Sequence, residues 1–105
     1  MESIVLSMNN ILNQWKQQHD IFSAISSEFT IEDGFLCFEH HPLWHVDEGL
    51  ILTYSAFDSD SIQFFFSQSR SIIICIDWPE DQPPVISSVS FVYFLTGGNQ
   101  YEQMG

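Results

Sequence analysis

The apolar residues of this chain follow one period before residue 30 and another period after it. Over residues 2–18 they recur with the spacing of one face of an α-helix, and polar residues fill the opposite side. From Thr30 onward apolar and polar residues alternate, which is typical of β-strands that bury one face. The change of period predicts a helix followed by a sheet, and the helical face consists of Ile4, Val5, Met8, Ile11, Leu12 and Trp15.

The end of this helix carries two further signals. Lys16 falls in the last turn, where a cation interacts favourably with the helix dipole. Asp20 is a residue type that caps helix N-termini, and it predicts a second short helix that extends to about residue 28.

The alternating region predicts five strands separated by short turns. The strands cover residues 34–40, 50–56, 62–66, 72–78 and 85–95, and the tail at 97–105 is predicted to be loose. Because short turns join antiparallel neighbours, the strands are expected to form a meander. The predicted fold is a single α+β domain over residues 1–105, with one or two N-terminal helices packed on an antiparallel sheet.

Both faces of the predicted sheet carry apolar side chains. A single helical layer covers only one face, so the second must be covered by a second helix, by curvature of the sheet, by a homodimer or by a partner protein. Strict alternation assigns Leu52, Tyr54, Phe64, Phe66, Ile74 and Phe91 to the helix side. It assigns Phe57, Phe65, Ile73, Cys75, Val92 and Phe94 to the second face.

The charge balance restricts the partners of this chain. It has 14 Asp and Glu residues against 2 Lys and Arg residues, a formal net charge of -12. A high charge of one sign can indicate disorder, but 10 Phe residues and a hydrophobic content of 45% predict a folded chain. Phosphate contacts require cations, and Lys16 and Arg70 are the only Lys and Arg residues, so we expect no direct binding to nucleic acid or to an anionic membrane.

Meander topology predicts where the acidic residues lie. Alternate connections of a meander emerge at the same end of the sheet, and three such connections are acidic. They contain Glu32, Asp33, Asp58, Asp60, Asp77, Glu80 and Asp81, with Trp78 among them. Crowded carboxylates repel one another, which favours a basic protein partner; the alternative is that they only keep the protein soluble.

The opposite end of the sheet is predicted to hold a loop over residues 40–49. It contains His40, His41 and His45, which are weak candidates for a metal site, and Asp47 and Glu48, which could pair with Arg70. Pro42 argues against a helix that would place His41 and His45 on one face. The spacing matches no metal signature, so we expect no cofactor and interpret the loop as a packing or contact segment.

Two further features bear on location. No stretch of about 18 apolar residues predicts a transmembrane helix, and the acidic start Met1-Glu2-Ser3 is unlike a secretory signal, so we expect a cytoplasmic protein. Cys37 and Cys75 lie in apolar runs and are expected to be buried thiols in a reducing compartment.

No catalytic motif is recognisable, and the paired acids lie in predicted turns without a walled pocket, so we expect a non-enzymatic protein. The charge pattern favours a stoichiometric inhibitor, and most concretely an immunity protein that neutralises a basic, nuclease-type toxin. In size and acidity the chain resembles bacterial immunity proteins and phage-encoded anti-defence proteins.

Two alternatives remain open at this point. The order of helix and strands is similar to that of acidic, dimeric chaperones of secreted effectors, although the long C-terminal helix of those proteins has no counterpart in this pattern. A nucleic-acid-mimicking anti-defence protein would share the acidity, but it would carry charges spaced like phosphates along an elongated surface.

Overall fold

The computed structural model describes residues 2–21, 27–46, 49–95 and 98–104. Within these ranges the chain forms one helix, α1 (Glu2–Gln18), which confirms the predicted first helix. It is followed by eight strands: β1 (Phe29–Glu32), β2 (Phe35–Phe38), β3 (His41–His45), β4 (Leu52–Phe57), β5 (Ser61–Phe66), β6 (Ser71–Asp77), β7 (Val85–Leu95) and β8 (Gly98–Met104).

The strands form two antiparallel sheets, each of them in sequence order. One sheet contains β1-β2-β3 and the other contains β4-β5-β6-β7-β8. The predicted α+β class, with an N-terminal helix on antiparallel meanders, is therefore confirmed. The prediction of about five strands in one sheet is wrong in detail, because the segment at 34–40 belongs to a separate three-stranded sheet.

The predicted loop at 40–49 and the predicted loose tail are both corrected. His41–His45 forms β3, which lies at the edge of its sheet. Pro42 is tolerated there because one side of an edge strand has no neighbour to which an N–H would have to donate. Residues 98–104 form β8, which pairs with β7 from Val89↔Met104 to Leu95↔Gly98. The polar composition of this tail gives no alternating pattern, and the strand forms by pairing with β7.

One core joins the helix and both sheets. The helix contributes three fully buried side chains, Met8, Leu12 and Trp15. They pack with residues of both sheets, of which the larger are Phe29, Leu36, Phe38, Trp44, Ile62, Phe64, Phe66, Ile72, Ile74 and Phe91. The inner face of the five-stranded sheet is thus covered by α1 and by the three-stranded sheet.

A β-bulge reverses part of the predicted face assignment. The register of β4 against β5 shifts between Leu52 and Tyr54. As a result Tyr54 is 61% exposed and its ring lies 5.9 Å from that of Phe65 on the outer face, whereas Phe57 packs against the core. Strict alternation predicts the opposite for Tyr54 and Phe57, since an extra residue exchanges the two faces of a strand.

Helix α1 ends in a left-handed residue. The Ile21 amide donates to the Lys16 carbonyl oxygen at 2.8 Å, and Asp20 between them has φ of 60°. This is the hydrogen-bond pattern of a helix C-terminal motif, so Asp20 closes α1. Most of the predicted second helix at 20–28 lies outside the described residues.

Lys16 is buried, although the sequence predicts only a favourable position in the last turn. Its side chain is 3% exposed, and Nζ donates to the Ser27 carbonyl oxygen at 2.9 Å. Burial lowers the pKa of Lys16, and the nearby charge of Glu28 opposes this effect. The helix dipole and the Ser27 carbonyl partly offset the cost of placing this cation in the core.

Asn9 fastens the helix to the edge of the three-stranded sheet. Its Nδ2 donates to the Phe29 carbonyl oxygen at 2.9 Å, and its Oδ1 accepts from the Phe29 amide at 2.7 Å. The side-chain amide thereby supplies the donor and the acceptor that a neighbouring strand would supply. This pair covers the free edge of β1 and fixes the distance between the two elements.

We expect Asn9→Asp to lower the free energy of unfolding by about 2 kcal/mol. The variant loses the Nδ2 donor and places a carboxylate oxygen next to the Phe29 carbonyl oxygen, which repels it. The measurement is urea unfolding at neutral pH. Asn10→Asp, an exposed neighbour on the same helix, is the control for the added charge. Equal stability of the two variants would show that the Asn9 pair contributes nothing.

Candidate functional site

The β4–β5 turn and the β6–β7 loop lie side by side at one end of the five-stranded sheet. Their position follows from the order of the strands, because alternate connections of a meander share an end. We define the acidic end as Asp58, Asp60, Asp77, Trp78, Glu80 and Asp81. All six residues are exposed, and their role in binding a partner stays a prediction.

Backbone carbonyl groups of the β4–β5 turn hold this end together. The indole Nε1 of Trp15, a fully buried residue of α1, donates to the Asp58 carbonyl oxygen at 2.7 Å. The amide of Ile76 in β6 donates to the Asp60 carbonyl oxygen at 2.8 Å. The turn is therefore tied both to the helix and to a second strand. Sequence reasoning missed the role of Trp15, for which the signal is that a buried indole needs an acceptor.

Trp78 is both exposed and held in place. Its side chain is 45% exposed, and its Nε1 donates to the carbonyl oxygen of Ser59 at 3.0 Å. This bond connects the β6–β7 loop to the β4–β5 turn. A large aromatic surface thus stands at the acidic end with its ring orientation already fixed, which lowers the entropy that binding would remove.

Asp58 shapes the turn from which the other acids project. Its Oδ1 accepts from the amides of Asp60 at 2.8 Å and Ser61 at 2.9 Å. These two backbone hydrogen bonds hold the pKa of Asp58 below its ordinary value of 3.8, and the charge of His19 acts in the same direction. The Asp58 carboxylate therefore has a structural role in the turn, unlike the carboxylate of Asp60.

The remaining carboxylates of the acidic end face solvent. They belong to Asp60, Asp77, Glu80 and Asp81. Among the residues that the structure describes, no cation forms an ion pair with them. The C-terminus of α1 ends close by, with His19 packed edge-on against Phe57 at 5.9 Å, so the negative end of the helix dipole adds to the same potential.

Glu32 and Asp33 do not belong to the acidic end, and their predicted grouping with it is wrong. They lie at the β1–β2 hairpin, where the Gly34 carbonyl accepts from Val46 at 2.9 Å beside His45. The prediction requires one continuous sheet, but Glu32 ends β1 of the separate three-stranded sheet and Asp33 lies in the turn that follows. Glu32 instead accepts from Thr30 at 2.6 Å and contacts His40 at 2.8 Å, and these bonds lower its pKa.

The three histidines are distributed along β3 and the turn before it. His40 lies in the β2–β3 turn against Glu32, His41 begins β3, and His45 ends it with its ring 5.3 Å from Phe35. Across the described ranges, no group of three His, Cys, Asp or Glu side chains is arranged to hold a metal ion.

The predicted neighbourhood of His45 and Arg70 is observed. The Arg70 Nη1 donates to the His45 carbonyl oxygen at 3.2 Å, and its guanidinium lies 5.6 Å from the centre of the Trp44 ring. The predicted pairing of Arg70 with Asp47 and Glu48 concerns residues outside the described ranges. The Arg70 end of the sheet is opposite to the acidic end, because the β5–β6 turn and the β4–β5 turn emerge at opposite ends.

The other sequence predictions concern thiols and membrane spans. Cys37 is buried, Cys75 is half-buried, and neither is in a disulfide. Burial is the main cause that raises the pKa of the Cys37 thiol. No helix in the described part of the chain combines the length and the apolar character needed to cross a membrane.

The bonds of Asp58 predict a specific dependence of stability on pH. Because its pKa is lower in the folded protein, its contribution is complete above the ordinary value of 3.8 and is lost as the pH falls through the folded value. We expect the free energy of unfolding to fall less between about pH 5 and pH 2 in Asp58→Asn than in the wild type. At neutral pH the cost should stay below about 1 kcal/mol, because the group is solvent-exposed.

Urea midpoints measured across this pH range provide the test. Asp60→Asn is the control, since the Asp60 carboxylate receives no hydrogen bond in the turn. If the two variants had the same pH dependence, the assigned role of Asp58 would be incorrect.

Comparison with protein-family models, with curated proteins and with solved structures finds no match for this chain.

Proposed function

We propose that this chain is a non-enzymatic inhibitor that binds a basic protein through its acidic end, most concretely an immunity protein for a nuclease-type toxin. One observation carries the proposal. Exposed Trp78, oriented by its bond to Ser59, stands among carboxylates to which no described cation is paired.

The charge of the acidic end supports recognition of a basic surface. Like charges at one edge repel each other and lower the stability of the folded domain. A positively charged partner would remove this repulsion and would be attracted from a distance, which raises the association rate. A soluble domain needs a net charge of only about 2 to 8, and this chain exceeds that range with its formal charge of -12.

Trp78 supplies what charge alone cannot. Exposed ion pairs contribute little to affinity, whereas tryptophan is among the residues that most often dominate binding energy. Its face can stack with an arginine guanidinium or a lysine ammonium of the partner. Fixed orientation and neighbouring carboxylates make Trp78 the proposed anchor for slow dissociation.

A nuclease fits these requirements because its active-site groove must bind phosphates. Such grooves are lined with Lys and Arg side chains, which an acidic protein surface can occupy in place of nucleic acid. An inhibitor of this kind acts by covering the groove and requires no chemistry of its own. In this proposal the chain works in the cytoplasm, where a toxin would meet nucleic acid.

We expect the triple variant Asp60→Asn, Asp77→Asn and Glu80→Gln to lose most of its partner in a pull-down from the native host. Wild-type protein should retain a basic protein at low salt and release part of it at high salt, because screening weakens the attraction. Bound proteins are identified by mass spectrometry, and association rates are then measured with the purified partner.

The matched control is Glu28→Gln, Asp33→Asn and Glu39→Gln, which removes the same number of charges from exposed positions elsewhere. It should retain the partner. Equal loss in both variants would attribute binding to net charge, and retention by both would refute the acidic end as the site.

We expect Trp78→Ala to increase the dissociation rate about tenfold or more, with a much smaller effect on the association rate, because the ring acts after the encounter. Stopped-flow mixing and competition with unlabelled protein give the two rates. Val85→Ala, which shortens another exposed apolar side chain beyond the loop, is the control. An unchanged dissociation rate for Trp78→Ala would remove the anchor from the proposal.

The same pull-down separates the two alternatives. A chaperone of a secreted effector would hold an unfolded apolar segment, and its binding would be insensitive to salt. A nucleic-acid mimic would lose affinity with acids neutralised anywhere along the surface, so the control triple variant would fail as well.

A further inference from the structure

The outer face of the five-stranded sheet is uncharged over its described centre. We define the outer face by the side chains of β4–β7 that point away from the core. None of them belongs to the core cluster. They are Tyr54, Ala56, Ser61, Gln63, Phe65, Ser71, Ile73, Cys75, Ser88, Ser90 and Val92, all of which lack a formal charge, together with Val85 and the acidic Asp77 at one margin.

This neutrality is unusual in a chain with a formal charge of -12. Apolar side chains alternate with small or uncharged polar ones across this face: Tyr54 contacts Phe65, and Ile73 lies opposite Gln63. Acidic residues begin only where the face ends, at Asp77 opposite Val85. The helix and the three-stranded sheet both pack on the inner face, and so leave the outer face uncovered within the described part of the chain.

We propose that the outer face is the surface through which two copies of this chain form a weak, reversible homodimer. Two copies that both carry strong negative charge can approach closely only where carboxylates are absent. A face of apolar and uncharged polar side chains is also complementary to itself, as a two-fold interface requires. A basic partner, by contrast, finds no charge on this face and is attracted to the acidic end.

The size of the face supports a weak dimer. Four strands spaced about 4.8 Å apart and roughly 20 Å long give about 380 Å² per copy. Two copies would therefore bury about 770 Å², less than the roughly 1,000 Å² of a stable interface, so the dimer is a weak and transient one. Small serine side chains beside the apolar side chains allow the two sheets to pack at the usual separation of about 10 Å.

The dimer is expected to respond to salt in the direction opposite to binding of a basic partner. Screening weakens the repulsion between two acidic copies, so dimerisation should strengthen at least about threefold between roughly 50 mM and 500 mM NaCl. The inference is independent of the proposed function, and the opposite salt effects separate the failure of one from the failure of the other.

The test is sedimentation equilibrium of the full chain from about 10 µM to 1 mM at both salt concentrations. Ile73→Lys should weaken the dimer about tenfold or more, because a two-fold axis brings two buried ammonium groups together. Gln63→Lys, at a polar and half-buried position, introduces the same charge without removing apolar packing and should act in the same direction. Circular dichroism verifies that each variant is folded.

Leu6→Lys is the matched control, since it introduces the same charge at an exposed apolar position on α1, away from the outer face. It should leave the dimer as strong as in the wild type, or stronger. A chain that stays monomeric throughout, a dimer insensitive to Gln63→Lys, or a dimer that weakens with salt would each overturn the proposal.

Discussion

The β4–β5 turn is the point on which the arrangement of this protein depends. Its successive carbonyl groups accept hydrogen bonds from the indole of Trp15 in the helix, the indole of Trp78 in the next loop and the amide of Ile76 in β6. Three separate segments of the chain are thereby positioned against a turn of a few residues. Because these acceptors are all main-chain atoms, the turn can carry acidic side chains toward solvent without disturbing the contacts that hold it.

This division of labour explains how the acidic end is tolerated. Exposed carboxylates repel one another, but in water the energy of each pair is only about 1 kcal/mol at close range. The bonds of Asp58 to two backbone amides and the buried core beneath offset that repulsion locally. At the other sheet, Asn9 holds the helix against the edge of β1 through two hydrogen bonds to the backbone of Phe29. The acidic side chains are therefore compatible with the fold, which the packing of α1 on both sheets maintains.

Local patterns predicted what depends on local physics. The helix at 2–18 and the shared end of Asp58 and Trp78 follow from apolar spacing and from the geometry of short turns. The predictions are wrong where tertiary packing determines which face a residue occupies or which sheet a strand joins. A single inserted residue between Leu52 and Tyr54 exchanges the faces of β4, and no residue type marks it. By local sequence alone Pro42 indicates a loop, yet it lies in β3, whose outer edge is unpaired. The position of Glu32 depends on the division into two sheets, which is a property of core packing.

The two proposed surfaces differ in the physics by which they discriminate. In these proposals the acidic end would select by charge and by one oriented aromatic ring, so salt would weaken its interactions. The outer face would select by the absence of charge, so salt would strengthen its interactions. They meet at Asp77 and Val85, which pair at the end of β6. A dimer through the outer face would leave the acidic end of each copy at the edge of the interface. Two copies that each carry a formal charge of -12 repel each other, and basic partners bound at the acidic ends would reduce that charge. Partner binding and dimerisation would then favour each other through electrostatics, because each partner reduces the charge that opposes the second copy.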